Sequence, residues 1–234
     1  MIKVMIVAGR RDGMTHEEYR RYLVENHGPL ILSLPALAGD FRHYHYNFPV
    51  PGATDTAFSH PLATDVDNCM EASFDSLQAF RGNMARPEYI GQVRPDEDRF
   101  AGAAVFHLMT EQPVLEGQRT TDRALYFRRR AADLTREEFQ RRWLEGMGAI
   151  FNEAGRPAGV AAYLQNHTIA EADMPDGGDP KYYDVIDEFY LDGPGGLAAL
   201  GAGPAVRAAV RRLEEELLDP SRTRAFVVEA HVNI

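Results

Sequence analysis

Two short stretches in corresponding places carry the main clue to the fold: residues 15–19 read THEEY and residues 135–139 read TREEF, 120 positions apart. Each stretch begins with Thr and has Glu three residues later, at Glu18 and at Glu138. In this arrangement the Thr hydroxyl and the Glu carboxylate satisfy free backbone N–H groups at the start of a helix. Both stretches therefore predict a first helical turn, one in each half of the chain.

The similarity of the two halves extends beyond these helix starts. At the same separation further pairs match, namely Arg21 with Arg141, Glu25 with Glu145 and Gly28 with Gly148. Later, residues 43–47 (HYHYN) match 162–166 (AYLQN) at a separation of 119, and residues 67–71 match 184–188 at 117. Several matches in one order and at nearly constant separation indicate a duplicated unit.

Each half shows the same order of predicted elements, and we place the units at residues 1–115 and 120–234. In the first unit the strands fall near residues 3–7, 41–48, 67–74 and 103–109, with helices from residue 15 and over 76–84. The second unit opens with a strand at 124–127 and has its last helix at 204–218. The βαββαβ order predicts an α+β fold of two tandem ferredoxin-like units, each with an antiparallel sheet covered by helices on one face.

Such a unit leaves the second face of its sheet uncovered, and that face must be buried against another layer. Two fused units can cover each other, sheet to sheet, as a pseudo-dimer that resembles a dimeric α/β barrel. Pairing with a second chain, as in a homodimer, is the alternative. The sequence leaves both arrangements open.

Composition narrows the classes of protein that remain. The net charge of −10 argues against a nucleic-acid partner, which selects for a basic excess. A single cysteine, Cys69, excludes an internal disulfide framework and fits the reducing cytoplasm. The first residues predict a strand rather than a signal peptide, and no apolar run is long enough for a membrane span, so we expect no membrane partner and a cytoplasmic location.

Several catalytic and cofactor motifs are absent from the sequence. It contains no G-x-x-x-x-G-K-[ST] phosphate loop and no G-x-G-x-x-G after a strand, which argues against a nucleotide cofactor. It also lacks a G-x-S-x-G elbow, and no base lies near Cys69 in the sequence. We therefore expect catalysis without a cofactor or a covalent nucleophile.

Residues 9–15 (GRRDGMT), with Glu18 and Tyr19, and residues 25–30 (ENHGPL) resemble the signature of the EthD family. In that family a strand with a basic end leads to G-M-T-x-E-E-F and then to x-H-x-P-L. The first unit fits well and the second in part, because residues 147–150 (MGAI) stand where the first unit has HGPL. The resemblance implies tandem EthD domains of the dimeric α/β-barrel superfamily, which includes cofactor-free monooxygenases, polyketide cyclases, muconolactone isomerases and haem-using relatives.

His27 is the leading catalytic candidate on chemical grounds. It lies four residues after Leu23 and eight after Tyr19, on the inward stripe of its helix, where a histidine can serve as general acid or base. A buried histidine bonded to a backbone carbonyl is the structural alternative. Met147 stands at the equivalent place, so helix packing alone does not require a histidine there.

The strand at residues 41–48 supplies the next candidates. Alternation puts His43, His45 and Asn47 on one face and Tyr44 and Tyr46 on the other. We expect His43 and His45 to assist catalysis and Tyr46 and Asn47 to bind substrate. A metal site of His43 and His45 with His27 or His60 is a weaker alternative, and we predict no metal.

Three further residues are substrate-binding candidates. Arg10 ends the first strand beside the helix start, where its guanidinium could clamp a carboxylate or phenolate. His60 lies in the loop 49–64, and long loops often serve as lids. His107 lies in the fourth strand. By contrast, Asp67 and Glu71 recur as Asp184 and Glu188, which favours structural or subunit-pairing roles for these carboxylates over catalysis.

We therefore expect a cofactor-independent lyase or dehydratase, or an isomerase or cyclase, that acts on a small aromatic or polyketide-like substrate through acid–base catalysis. An oxygenase of the same superfamily, cofactor-free or with haem held by one histidine, is one alternative. The other is a non-catalytic small-ligand-binding or stress protein. We expect the first unit to be the active copy and the second a degenerate one.

Overall fold

A computed structural model describes residues 1–169 and 182–234. The chain divides into two compact units: unit 1 comprises residues 1–48, 64–110 and 230–234, and unit 2 comprises residues 49–63 and 111–229. The loop predicted at residues 170–180 lies outside the described residues. Among the residues that are described, no helix is long and apolar enough to cross a membrane.

Unit 1 contains the strands β1 (Ile2–Arg10), β2 (His43–Pro49), β3 (Asn68–Phe74) and β4 (Ala101–Leu115). It is built on an antiparallel sheet in which β1 lies between β4 and β3, with β2 on the far side of β3. Its helices are α1 (His16–Tyr22), α2 (Gly28–Leu32), α3 (Pro35–Ala38), α4 (Leu77–Met84) and α5 (Arg94–Glu97). Two π-helical turns, Leu23–His27 and Tyr89–Val93, precede α2 and α5.

Unit 2 contains the strands β5 (Asp122–Arg128), β6 (Val160–Thr168), β7 (Val185–Leu191) and β8 (Arg224–Val232). It has the same kind of antiparallel sheet, with β7 between β6 and β5 and with β8 beside β5. Its helices are α6 (Arg136–Ala154), α7 (Gly196–Gly201) and α8 (Pro204–Leu217). The predicted strands are therefore present in both units, while the barrel-like packing of the sheets stays a prediction.

The first helix of each unit begins where the Thr-x-x-Glu pattern predicts. The Thr15 hydroxyl accepts from the Glu18 N–H, and the Glu18 carboxylate accepts from the Thr15 N–H at 2.8 Å, which completes a capping box. The Thr15 N–H and the Thr15 hydroxyl both donate to the Glu18 carboxylate, and these two bonds lower the pKa of Glu18. The Thr135 hydroxyl likewise accepts from the Glu138 N–H at 3.1 Å. Both helix starts predicted from the sequence are confirmed.

A carboxylate holds the end of the first strand in each unit. Asp67 accepts from the Arg10 N–H at 2.8 Å and pairs with its guanidinium, whose Nε donates to the Met14 carbonyl at 2.8 Å. In unit 2 the equivalent bonds join Asp184 to the N–H (3.0 Å) and guanidinium of Arg130, whose Nε donates to the Leu134 carbonyl at 3.0 Å. Arg10 thus has a carboxylate of the protein, Asp67, as its partner, and its role as a substrate clamp stays a prediction.

A second set of polar contacts is buried on one face of the sheet in each unit. Asn47 donates to Glu71 Oε1 at 2.5 Å, and Lys3 pairs with Glu71 Oε2 at 3.1 Å. In unit 2, Asn166 and Arg123 bind Glu188 at 3.3 and 2.8 Å. A buried charge needs such hydrogen-bond partners. Asn47 therefore binds Glu71 within the sheet, and it is not among the residues that line the apolar cleft containing His27.

Candidate functional site

An interruption in the first helix of unit 1 positions His27. The sequence predicts one helix from Thr15 as far as Leu30, but α1 ends at Tyr22. A π-helical turn follows, in which the Gly28 N–H donates to the Leu23 carbonyl five residues back. Pro29 is the physical reason, because its ring lacks an N–H and would clash with the carbonyl four residues earlier in a regular helix. Such π turns are frequent at functional sites, and His27 is the last residue of this one.

His27 pairs with a buried carboxylate that lies 69 positions away in the sequence. Its Nδ1 is 2.9 Å from Asp96 Oδ2, and the two side chains are only 8% and 10% exposed. The Tyr22 hydroxyl donates to the other oxygen, Asp96 Oδ1, at 2.6 Å. Asp96 lies in α5, directly after Pro95 and the second π turn. Each partner of the pair is thus presented beside a helix irregularity that accompanies a proline.

Burial sets the protonation state of His27. Desolvation lowers the pKa of its imidazole below the usual value, and this outweighs the hydrogen bond and the negative charge of Asp96, which both raise it. The ring is therefore neutral at pH 7. An ionised carboxylate only accepts hydrogen bonds, so Nδ1 carries the proton and Nε2 keeps its lone pair. That arrangement is suited to general base catalysis.

His27 lines an apolar cleft with two lobes of about 60 and 100 Å³. Six residues line both lobes: Ile6, His27, Tyr44, Met70, Glu97 and Phe106. Each lobe is smaller than the roughly 150 Å³ cavity that holds a benzene molecule, so a ring-sized ligand would occupy both. The lining is mostly apolar with a few polar groups, as in typical small-molecule sites.

Tyr44, Tyr46 and Glu97 are among the polar side chains that share this cleft with His27. Tyr44 and Tyr46 lie on the same face of β2, and their hydroxyl groups are hydrogen-bonded to each other. Burial raises the pKa of both, so both stay protonated, and the bond between them uses only one of the two O–H groups. Glu97 accepts from the Tyr89 hydroxyl at 2.9 Å, and burial raises its pKa although Tyr89 and Arg94 oppose this.

The other strand histidines do not join this cleft. His43 and His45 alternate with the buried Tyr44 and Tyr46, so they project from the opposite face of β2, and their rings contact each other with centroids 5.9 Å apart. His107 follows the cleft residue Phe106 in β4 and lies 3.3 Å from the Met5 carbonyl through Nδ1. The expected roles of His43, His45 and His107 beside His27 are therefore not supported, because α1 and α2 cover the other face of the sheet.

His60 belongs to unit 2, where its Nε2 lies 2.8 Å from Glu214 Oε1. It is not among the residues that line the cleft of His27. Within residues 1–169 and 182–234, no group of three or more histidine, cysteine or carboxylate side chains is placed to hold a metal ion.

Sequence reasoning missed Tyr44 at this candidate site, and it also missed Asp96 and Glu97. A signal was present in Arg94-Pro95-Asp96-Glu97, where a proline inside a helical stretch precedes two adjacent acids, much as Gly28-Pro29 follows His27. No pattern in the sequence, however, shows that this segment packs against the first helix.

Comparisons with known proteins give a match to a family model, one related sequence and several similar folds. Residues 11–104 match the sequence model of the EthD domain. The dehydratase ustZ of Ustilaginoidea virens is 29% identical over 124 residues, which cover 50% of this chain and 88% of that protein. Among solved structures, an anthrone oxidase-like protein has a TM-score of 0.64 at 11% identity, over 99% of this chain and 93% of the other.

Two proteins assigned as monooxygenases share the fold as well. The one from Fusobacterium nucleatum has a TM-score of 0.56 at 10% identity, over 99% of this chain and 92% of the other. The one from Lactobacillus acidophilus has a TM-score of 0.51 at 9% identity, over 100% and 93%. At such identities these likenesses concern the fold alone. The family match is the more specific finding: residues 11–104, which include His27 and Asp96, match the EthD domain.

Proposed function

We propose that the protein is a cofactor-independent dehydratase that acts on a small aromatic or polyketide-like β-hydroxy carbonyl compound, with His27 as its general base. The observation that carries this proposal is a neutral, buried His27 held by Asp96 at 2.9 Å on the wall of an apolar cleft. A histidine fixed by a carboxylate in this way has one tautomer and one orientation. The relative that is named a dehydratase supports the choice of reaction.

The reaction needs only proton transfers. Nε2 of His27 takes a proton from the carbon beside the substrate carbonyl, and the electron pair of that C–H bond passes into an enolate. The enolate then reforms the carbonyl as the new C=C bond expels the β-hydroxyl group. The imidazolium returns its proton to that hydroxyl, which leaves as water, so the enzyme ends in its starting state.

The tyrosine pair has a role in the same step. Negative charge develops on the carbonyl oxygen when the enolate forms, and a preorganised donor there lowers the barrier. The O–H that Tyr44 and Tyr46 do not use between themselves is such a donor. Asp96 is a positioning residue, because it contacts His27 and Tyr22 rather than the cleft.

We infer that unit 1 is the active copy of a duplicated EthD-like unit and unit 2 a degenerate copy. The recurring bonds of Asp67 and Asp184 support the duplication. Met147 in place of His27 supports the loss of chemistry in unit 2. An isomerase or cyclase would use the same base without expelling water, and the homodimer and cytoplasmic location stay predictions.

The aldol of benzaldehyde and acetone is a suitable first probe, because loss of water gives a conjugated enone that absorbs in the near ultraviolet. We expect the wild-type protein to accelerate enone formation and H27Q to lose that acceleration with its fold intact. Deuterium exchange into the carbon beside the carbonyl of 1-indanone tests proton abstraction without any leaving group. Equal exchange by wild type and H27Q would refute the role of His27.

The alternatives predict different outcomes. An oxygenase would incorporate oxygen from labelled O₂ into its product, and its haem-using form would show a Soret band in the purified protein. A binding protein would return every ligand unchanged after prolonged incubation at high protein concentration.

A further inference from the structure

Unit 2 contains a second pocket that the proposed reaction does not use. It has a volume of about 390 Å³ and lies between the loop of residues 57–60 and helix α8. The loop contributes Phe58, Ser59 and His60, and the helix contributes Arg207, Arg211 and Glu214. All of these residues belong to unit 2, so this pocket is separate from the cleft of His27.

The loop is held in an unusual conformation. Ser59 has φ = 64°, which makes it a non-glycine residue in the left-handed region. The buried carboxylate of Asp55 fixes the segment, because it accepts from the N–H groups of Ala57, Phe58 and His60 at 2.9–3.0 Å. Backbone strain of this kind persists only where the surroundings enforce it, and it is concentrated at functional sites.

His60 is part of a buried charge network behind the pocket. Its Nε2 is 2.8 Å from Glu214 Oε1 and 3.2 Å from Nη1 of Arg128. Arg128 is fully buried and also binds Glu214 at 2.7 Å. Its charge and the contact with His60 lower the pKa of Glu214, although burial alone would raise it. Within the described part of the chain, Nη2 of Arg128 has no hydrogen-bond partner.

The outer wall of the pocket is cationic. Arg207, Arg211 and Glu214 lie on one face of α8, at spacings of four and three residues. Arg207 donates to the Gly201 carbonyl at 3.1 Å, and no described carboxylate pairs with it. Arg211 has only an exposed contact of 3.7 Å with Glu215. Both guanidinium groups are therefore available to an anion, while Glu214 is already neutralised by Arg128.

We propose that this pocket is a binding site for a small organic carboxylate. The carboxylate lies against Arg207 and Arg211, whose planar donors match its two oxygens. The apolar body of the ligand lies against Phe58, and His60, held by Glu214, closes the inner wall. The site is independent of the proposed dehydration in unit 1.

Benzoate is the probe, and isothermal titration calorimetry on the full chain measures its binding. Trp143 provides a second signal, because it is the single tryptophan of the chain and its ring lies 5.1 Å from the guanidinium of Arg128. We expect saturable benzoate binding that R207A/R211A weakens at least about tenfold, the scale of one charge-assisted hydrogen bond. R212A, an exposed arginine of the same helix outside the pocket lining, is the matched control and binds as wild type does.

Further arms separate this site from the cleft of His27. Leu23 lines the cleft of His27, and L23W is designed to fill that cleft. Benzoate binding that is unchanged in H27Q and in L23W supports the proposal, whereas loss of benzoate binding in L23W would assign the ligand to unit 1 and overturn it. Benzamide, which has the same ring without the charge, is expected not to bind. Inorganic phosphate that binds as tightly as benzoate would overturn an organic ligand, and benzoate binding equal in wild type and R207A/R211A would overturn the site.

Discussion

Equivalent positions enclose a cleft in unit 1 and a filled core in unit 2. The sheet registers establish the equivalence, because Ile6 pairs with Met70 in unit 1 as Tyr126 pairs with Asp187 in unit 2. The cleft residues and their counterparts are Ile6 and Tyr126, Ala8 and Arg128, Leu23 and Trp143, His27 and Met147, Tyr46 and Gln165, and Met70 and Asp187. Most replacements in unit 2 are larger or more polar, and they occupy the corresponding space.

The core of unit 2 contains a buried ion pair of Arg128 and Asp187, in which both oxygens of Asp187 have hydrogen-bond partners. This carboxylate accepts from Arg128 at 2.8 Å, from Trp143 Nε1 at 3.0 Å and from the Tyr163 hydroxyl at 2.7 Å. Burial raises the pKa of Asp187, and Arg128 opposes this. A buried pair of this kind gains little stability over an apolar core, since desolvation offsets the attraction. Its effect here is to fill the space that unit 1 keeps open.

The first helices of the two units differ in the same sense. In unit 2, α6 runs without interruption for 19 residues, with Ala149 at the position of Pro29. In unit 1 the π turn before Pro29 breaks the helix at His27. The comparison teaches that one βαββαβ framework holds an open cleft beside a histidine in unit 1 and a filled polar core in unit 2, depending on the side chains at a few equivalent positions.

The largest expected effect is the loss of the base. H27Q removes the proton acceptor but keeps a polar side chain of similar size, so the rate constant falls about 10²–10⁴-fold while the fold is retained. Steady-state kinetics with circular dichroism measure both. H43Q is the control, because His43 is exposed on the other face of β2, and its kinetics match wild type. A fully active H27Q variant would end the comparison of an active and a degenerate unit.

Acid stability tests the polar interior of unit 2. Burial lowers the pKa of His167 to about 4. Its contribution to the free energy of unfolding is therefore present above pH 6.5 and is lost as the pH falls toward 4, because the unfolded chain takes up the proton first. Unit 1 has Phe48 at this position. In H167F we expect the drop in the free energy of unfolding between pH 7 and 4 to shrink by up to about 3 kcal/mol. Urea titrations at both pH values measure it, and an unchanged drop would contradict a buried neutral His167.

A variant that fills the cleft tests whether unit 1 needs this space for activity. L23W places the residue of position 143 at the wall beside His27, so we expect kcat/KM for the enone reaction to fall at least about tenfold, with about 1–3 kcal/mol of lost stability from overpacking. L34W, at a half-buried position outside the cleft lining, is the control for the bulk of the side chain. Full activity of L23W would place the reaction elsewhere.

The smallest effect concerns the positioning of the base. Asp96 raises the pKa of His27, so D96N lowers that pKa further and moves the acid limb of the kcat/KM profile to lower pH. The rate on the plateau falls as well, because the tautomer is no longer fixed. A profile measured from pH 4 to 8 separates this from a structural role: a variant with reduced rate but an unshifted limb would make Asp96 merely structural.

Local interactions account for what the sequence predicted well. The helix caps at Thr15 and Thr135 involve residues three apart, and the strand alternation that separates Tyr46 from His45 is a property of any pleated strand. The inward position of His27 follows from helical spacing. The π turn was not foreseen, although Pro29 was visible, because the wider turn depends on how the chain accommodates the proline.

The sequence by itself determined the order of the elements and their boundaries near the caps. It also predicted the duplication, with His27 in place of Met147 as the chemical difference between the halves. Only the tertiary structure decided which face of β2 the helices cover, and with it that Tyr44 and Tyr46, rather than His43 and His45, share the cleft. It also brought Asp96 to His27 across 69 positions. The physical reason is that caps and alternation arise between chain neighbours, whereas a buried pair depends on the packing of segments that are distant in the sequence.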